Sequence, residues 1–224
     1  MNKRKILYIA ALILSLLFIC VVAFNQVKAS QDTNNSENIS VDDVEKEETE
    51  VEVIEEKTDL EIAQEEYDTK LISLNSMNLS KEEWFKQYKS LTEKYGDILG
   101  KPETIYDNFT QQELDLLFKV VQAEIGSEYS FEQKCNVVSV IYNRLSDHHF
   151  GDAINEILVG HQFSTISNGA IYKVTVDEKT ILACEYIYQF GDTTNGALFF
   201  DSNGRLNYKF LFNDGAHNFY TKRK

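Results

Sequence analysis

The sequence predicts an α+β domain carried behind an export segment and an acidic linker, and three observations lead there. Capping signals open several segments whose apolar residues recur with helical spacing. The last thirty residues or so switch to short apolar runs separated by Asn-Gly and Asp-Gly turns. Ahead of both, a basic and then mostly apolar N-terminus gives way to an acidic stretch too poor in apolar residues to build a core.

Lys3, Arg4 and Lys5 precede a stretch from Ile6 to Phe24 that carries no charge and is apolar but for Ser15. Nineteen residues at about 1.5 Å each cover about 28 Å, close to the hydrocarbon thickness of a bilayer. The basic flank stays in the cytoplasm under the positive-inside rule. Val27-Lys28-Ala29 before Ser30 also fits a signal-peptidase site. Residues 1–29 therefore read as a membrane anchor or a cleaved signal, and either one places the remainder outside the cytoplasm.

The formal charge is −14, but sixteen of the 36 acidic residues fall between Gln31 and Lys70. Residues 30–59 read as a disordered acidic linker, because so little apolar surface cannot offset the chain entropy lost on ordering. The charge belongs mostly to that linker. It offers no basic face, so nucleic acid is not an expected partner.

Residues 60–105 read as a helical connecting segment. Within it Ser80 and Glu83 form a capping box, followed by Trp84, Tyr88, Leu91 and Tyr95 on one stripe ending near Gly96. Residues 106–224 read as the principal domain. Thr110 and Glu113 open a helix with Leu114, Leu117, Phe118, Val121 and Ile125. Ser130 and Gln133 open one with Cys135, Val138, Tyr142 and Leu145. Thr175 and Glu178 open a third with Ile181, Leu182, Cys184, Tyr186 and Tyr188, closed at Gly191. Ala197–Phe200, Phe210–Phe212 and His217–Tyr220 supply the strand-like pieces. Three cysteines, one of them in the apolar N-terminus, do not make a disulfide scaffold. Cys135 and Cys184 read as buried thiols, with a bridge between them as the alternative. The four histidines show no helix-spaced ligand pair, so no metal site is expected.

Glu124 is the carboxylic acid of interest. On a helix from Thr110 it falls beside Leu117 and Val120 at the edge of the buried stripe, in the last turn, where the helix dipole disfavours negative charge. Partial burial and that dipole both raise a carboxyl pKa, which is what a proton donor needs. The same position also suits an ordinary surface Glu, and helix geometry by itself leaves both open.

The surrounding residues carry more. "QAEIGSEYSFEQKCNVVSVIYNRLSD", then "GHQFS", "GALFF" and "GAHNFY", in that order, resemble the SleB-type cell wall hydrolase family over about Asp115 to Tyr220. The resemblance implies a lysozyme-like, mainly helical catalytic domain with a small strand-bearing lobe. It also implies cleavage of peptidoglycan glycan strands, with Glu124, the Glu after Ala, as catalytic residue and no cofactor. Expected substrate contacts are Glu128, Asn143, Gln162, Phe163, Ser164, His217 and Tyr220. Each also has a plain structural reading as cap, core or surface residue. Where the family often has Ala-Arg-Gly after the catalytic Glu, this chain has Ile125-Gly126-Ser127. Where the family often shows Asn-Pro after "GALFF", it has Asp201-Ser202-Asn203.

The resemblance favours a lytic transglycosylase, which needs a single carboxylate, over a two-carboxylate muramidase. Glu128 is the nearby candidate for a second acid. A peptidoglycan-binding envelope protein without turnover is the alternative from another class. Expected partners are the glycan strands and, through the N-terminal segment, the membrane. The sequence indicates no oligomeric state.

Overall fold

The computed structural model describes residues 57–222. The anchor or signal at 1–29 and the acidic linker, up to residue 56, lie outside the described residues. Helix α1 (Asp59–Ser76) starts at a capping box that the sequence reading passed over, Thr58 with Glu61. Helix α2 (Lys81–Leu99) starts at the expected Ser80–Glu83 box. It runs through Gly96 and stops at Gly100, whose φ of +86° is left-handed. Gly96 is buried inside the helix because the Lys101 stem folds across it, and a Cβ there would sit 2.6 Å from Lys101 Cγ.

After the single turn α3 (Ile105–Asn108), helix α4 (Gln111–Glu124) opens at Thr110–Glu113, and α5 (Phe131–Leu145) opens at Ser130–Gln133. Two more single turns follow, α6 (Ile154–Ile157) and α7 (Ser164–Ser167), then a 3₁₀ turn at Ala170–Tyr172. Helix α8 (Glu178–Phe190) is capped by Asp177 rather than by Thr175. Asp177 accepts the Thr180 N–H at 2.7 Å, and its carboxylate also lies 3.4 Å from Lys134 Nζ. Two cap-forming residues stand two positions apart in the sequence, and that tertiary ion pair selects the second.

Helix α5 is the axis of the domain. Every residue from Lys134 to Ile141 is buried, as expected of a helix surrounded by other elements rather than lying at a surface. It packs against α2, α4, α6, α8 and the first strand. Leu117, Val120, Val121 and Ile125 from α4, Val137, Val138 and Ile141 from α5, and Leu182, Ala183 and Ile187 from α8 share one core. Cys135 and Cys184 are free thiols within it, and burial pushes both up, Cys135 to about 12.

The strands β1 (Phe199–Asp201), β2 (Lys209–Asn213) and β3 (Asn218–Thr221) form one antiparallel sheet in the order β1-β3-β2. Phe199 pairs with Tyr220 and Asp201 with Asn218. A bulge between Phe210 and Phe212 shifts the β2 register. Val140 of α5 packs with Ala197 and Phe219 to fasten the sheet to the helices. The described part is thus mostly helical with a small three-stranded sheet. Among the described residues no helix is long and apolar enough to cross a membrane.

The segment read as a connector shares the core. Phe85 of α2, outside the expected stripe, is 3% exposed and meets Tyr186 and Phe190 of α8 edge-on at 5.3 and 5.9 Å. Phe85→Ala should cost about 3–5 kcal/mol in urea unfolding. A loss below about 1 kcal/mol would mean that α2 is not part of the cooperative unit.

Candidate active site

Glu124 is the last residue of α4. Its neighbour Ile125 turns extended (φ −140°, ψ 101°) and is fully buried, which fixes the direction in which the chain leaves the helix. The half-buried Glu124 carboxyl lines a cleft of about 290 Å³ together with Arg144, Gly160, His161, Gln162, Phe163, Ser164, Ser167 and Phe200. Thr165 of α7 donates its hydroxyl to Glu124 Oε1 at 2.7 Å.

Three effects set the state of this acid. Burial raises its pKa and is the largest of them. The Thr165 hydrogen bonds and the Arg144 charge oppose it, and the balance lies above the usual carboxylate range.

Arg144 lies in the last turn of α5 and is itself buried, with Nε donating to the Leu198 carbonyl at 2.7 Å and Nη1 to Gln162 Oε1 at 3.4 Å. Its guanidinium lies over the rings of Phe163, Phe150 and Phe199 at 4.9, 5.2 and 5.6 Å. Burial lowers its pKa to about 10, so it remains a cation at neutral pH.

The expected site residues divide into two groups. Gln162, Phe163 and Ser164 line the cleft with Glu124. Phe163 is only 2% exposed and acts chiefly as the platform under Arg144, while Gln162 Nε2 donates to the Phe150 carbonyl at 3.2 Å. Glu128, Asn143, His217 and Tyr220 do not line it. Glu128 is exposed, and its carboxylate folds over Gly126, where a Cβ would sit 2.3 Å from Oε2. The Asn143 amide reaches Asp192 Oδ1 at 3.1 Å and the Ala197 carbonyl at 3.0 Å, tying down the loop before β1. His217 is buried edge-on to Phe200 at 5.1 Å, and burial lowers its pKa, keeping it neutral. Tyr220 donates to Asp201 Oδ1 at 3.0 Å within the sheet. Arg144, His161 and Phe200 also line the cleft, and Thr165 bonds Glu124 without lining it; His161, Phe200 and Thr165 were not among the expected contacts. Among the described residues no group of His, Cys, Asp and Glu is arranged to hold a metal.

A second groove, of about 210 Å³, lies between α2 and α8 and is mostly apolar. Its carboxylate Glu185 is already engaged by Lys89 at 2.6 Å and by the Tyr106 hydroxyl at 2.9 Å. Among the described residues, Glu124 is the carboxylic acid whose pKa is raised, and it lines an open cleft.

An α+β domain of this kind, with a shielded carboxyl at the mouth of an open cleft, has the makings of an acid-catalysed enzyme of extended substrates. Residues 128–221 match the family model described as Cell Wall Hydrolase. Over that stretch the chain matches the same family that its motifs resemble. The matched stretch begins after Glu124. Two similar solved structures are catalytic domains. One is that of the germination-specific lytic transglycosylase SleB from Bacillus anthracis, 18% identical over 52% of this chain and 100% of that one, with a TM-score of 0.46. The other is that of the Bacillus cereus SleB protein, 22% identical over 50% and 92%, with a TM-score of 0.45. No curated protein matches the chain.

Thr165→Val removes a donor that favours the carboxylate. The Glu124 pKa should therefore rise further in a ¹³C-carboxyl NMR titration. A midpoint that stays or falls would contradict the assigned balance.

Proposed function

We propose that this protein cleaves peptidoglycan glycan strands between N-acetylmuramic acid and N-acetylglucosamine, as a lytic transglycosylase with Glu124 as acid and then base. The observation that carries the reading is that Glu124 is the one carboxylic acid among the residues lining the cleft, and burial raises its pKa. A two-carboxylate hydrolase needs a second acid across the scissile bond. Glu128, the candidate for it, is exposed and does not line the cleft.

In this mechanism the Glu124 carboxyl gives its proton to the bridging oxygen as the bond from that oxygen to the muramyl anomeric carbon breaks. The muramyl C6 hydroxyl then closes onto that carbon and passes its proton to the Glu124 carboxylate. One sugar end becomes a 1,6-anhydro ring, the other a free hydroxyl, and no water is consumed. The internal hydroxyl is a nucleophile at high effective concentration. Arg144 supports both halves. Its charge limits the rise in the Glu124 pKa, so the carboxylate remains accessible once the first proton has left.

Gln162, Ser164 and His161 would meet the glycan along the cleft wall, with Phe200 offering an apolar surface. The roles that Glu128, Asn143, His217 and Tyr220 have in the fold support a framework part for them rather than substrate contact. Export by the N-terminal segment, as anchor or cleaved signal, would deliver the domain to the wall outside the cytoplasm.

Purified peptidoglycan digested with wild type should yield anhydro-muropeptides by mass spectrometry, and Glu124→Gln should be slower by about 10²–10⁴-fold. Reducing ends instead of anhydro ends would replace transglycosylation by hydrolysis. Glycan left intact by wild type would overturn both in favour of a binding protein.

A further inference from the structure

Lys134 stands in the first turns of α5, and it is 0% exposed. A wholly buried ammonium is costly, and an apolar side chain of similar volume would often be cheaper for the fold. Its partners point to what it does. Nζ donates to the carbonyls of Ile125 at 3.2 Å and Gly126 at 3.0 Å, the two residues immediately after Glu124, and to Thr180 Oγ1 at 2.8 Å. Asp177 Oδ2 balances the charge at 3.4 Å.

The same turn is held from its other side. Gln122, one residue short of a full turn before Ile125 and itself 4% exposed, donates to Ser127 Oγ at 3.0 Å. Its Oε1 accepts from Thr180 Oγ1 at 2.6 Å and from the Asp177 N–H at 3.1 Å. Thr180 is therefore the link, accepting from Lys134 and donating to Gln122. The network brackets residues 122–127, and Glu124 sits at its centre with its own carboxyl aimed elsewhere, at Thr165. The ammonium is committed to carbonyls at a helix C-terminus, where positive charge is favourable.

We propose that Lys134 is a positioning residue. Its buried ammonium, linked through Thr180 to Gln122, fixes the turn at Ile125–Gly126 and so sets the direction in which the Glu124 carboxyl enters the cleft. This inference rests on Glu124 being the acid of the proposed reaction. Misplacing a reacting group by about 1 Å can cost about 10²-fold in rate without altering substrate affinity.

The test is steady-state cleavage of soluble, peptide-free glycan strands, with rates normalised to the folded fraction seen by circular dichroism. Lys134→Met keeps the volume and removes the donors. It should lower kcat per folded molecule by about 10- to 100-fold with KM within about twofold of wild type. Thr180→Val, which cuts the link alone, should lower kcat less, and Thr180→Ser, which keeps the hydroxyl, should restore it. A purely structural lysine predicts lost stability with unchanged kcat per folded molecule. That result in Lys134→Met overturns the proposal, and if Lys134→Met does not fold, the same result in Thr180→Val overturns it. Glu124→Gln in parallel separates the two readings. If it keeps full activity, the acid assignment falls and this inference with it. If it is inactive while the Lys134 and Thr180 variants keep kcat, only the positioning role falls.

Discussion

A carboxyl group whose pKa is to be raised must be kept from water without being left unpartnered. The end of α4 meets both requirements on Glu124. Its half-burial penalises the charged form, while the Thr165 hydroxyl at 2.7 Å gives Oε1 a partner in either state. A guanidinium in full contact would tip such an acid to the ionised form. Arg144 makes no such contact, because its own Nε is spent on the Leu198 carbonyl and its plane is taken by three aromatic rings. It acts on Glu124 only through the field of its charge.

Most of the fold can be read as what this arrangement requires. Arg144 and Lys134 stand ten residues apart on α5, about 15 Å along the axis, and each bears on Glu124 from its own end. The small sheet is too short to be stable by itself. Anchored by Phe219 and Ala197 on Val140, it delivers Phe199 to the Arg144 platform and Phe200 to the cleft wall. Asn143, fastening the loop before β1, and His217, packed on Phe200, belong to that delivery.

The capping boxes at Ser80, Thr110 and Ser130 were legible because the cap chemistry is local, three residues apart, and the apolar period follows at once. Glu124 at the edge of the α4 stripe was legible for the same reason. What could not be read depends on distant pairs. Thr165 reaches Glu124 across 41 residues from a helix of one turn, which has no periodicity to announce it. Lys134 looks like a solvated cation in a capping turn until the end of α4 and the start of α8 close on it. Arg144 reads as a polar helix end until three phenylalanines from separate segments are placed under it. Asn143 was drawn to the site by sitting in a motif block beside Arg144, which does line the cleft, whereas the block that holds His217 contributes no residue to it.

A group that serves first as acid and then as base in the proposed reaction works best with a pKa near the working pH, since each half needs a different protonation state. Burial alone would carry Glu124 too far upward and starve the second half of carboxylate. Thr165 and Arg144 alone would carry it down and starve the first half of the proton. Opposed contributions at one carboxyl are therefore a functional requirement, and they have a thermodynamic sign. Because the folded state holds this proton more tightly than the unfolded chain, the contribution of Glu124 to stability is fully present below the unfolded pKa and is lost as pH rises through the raised folded one. The apolar packing of α4, α5 and α8 has to absorb that loss together with the desolvation of Lys134 and Arg144. The core that α4, α5 and α8 share supplies the apolar burial set against those costs.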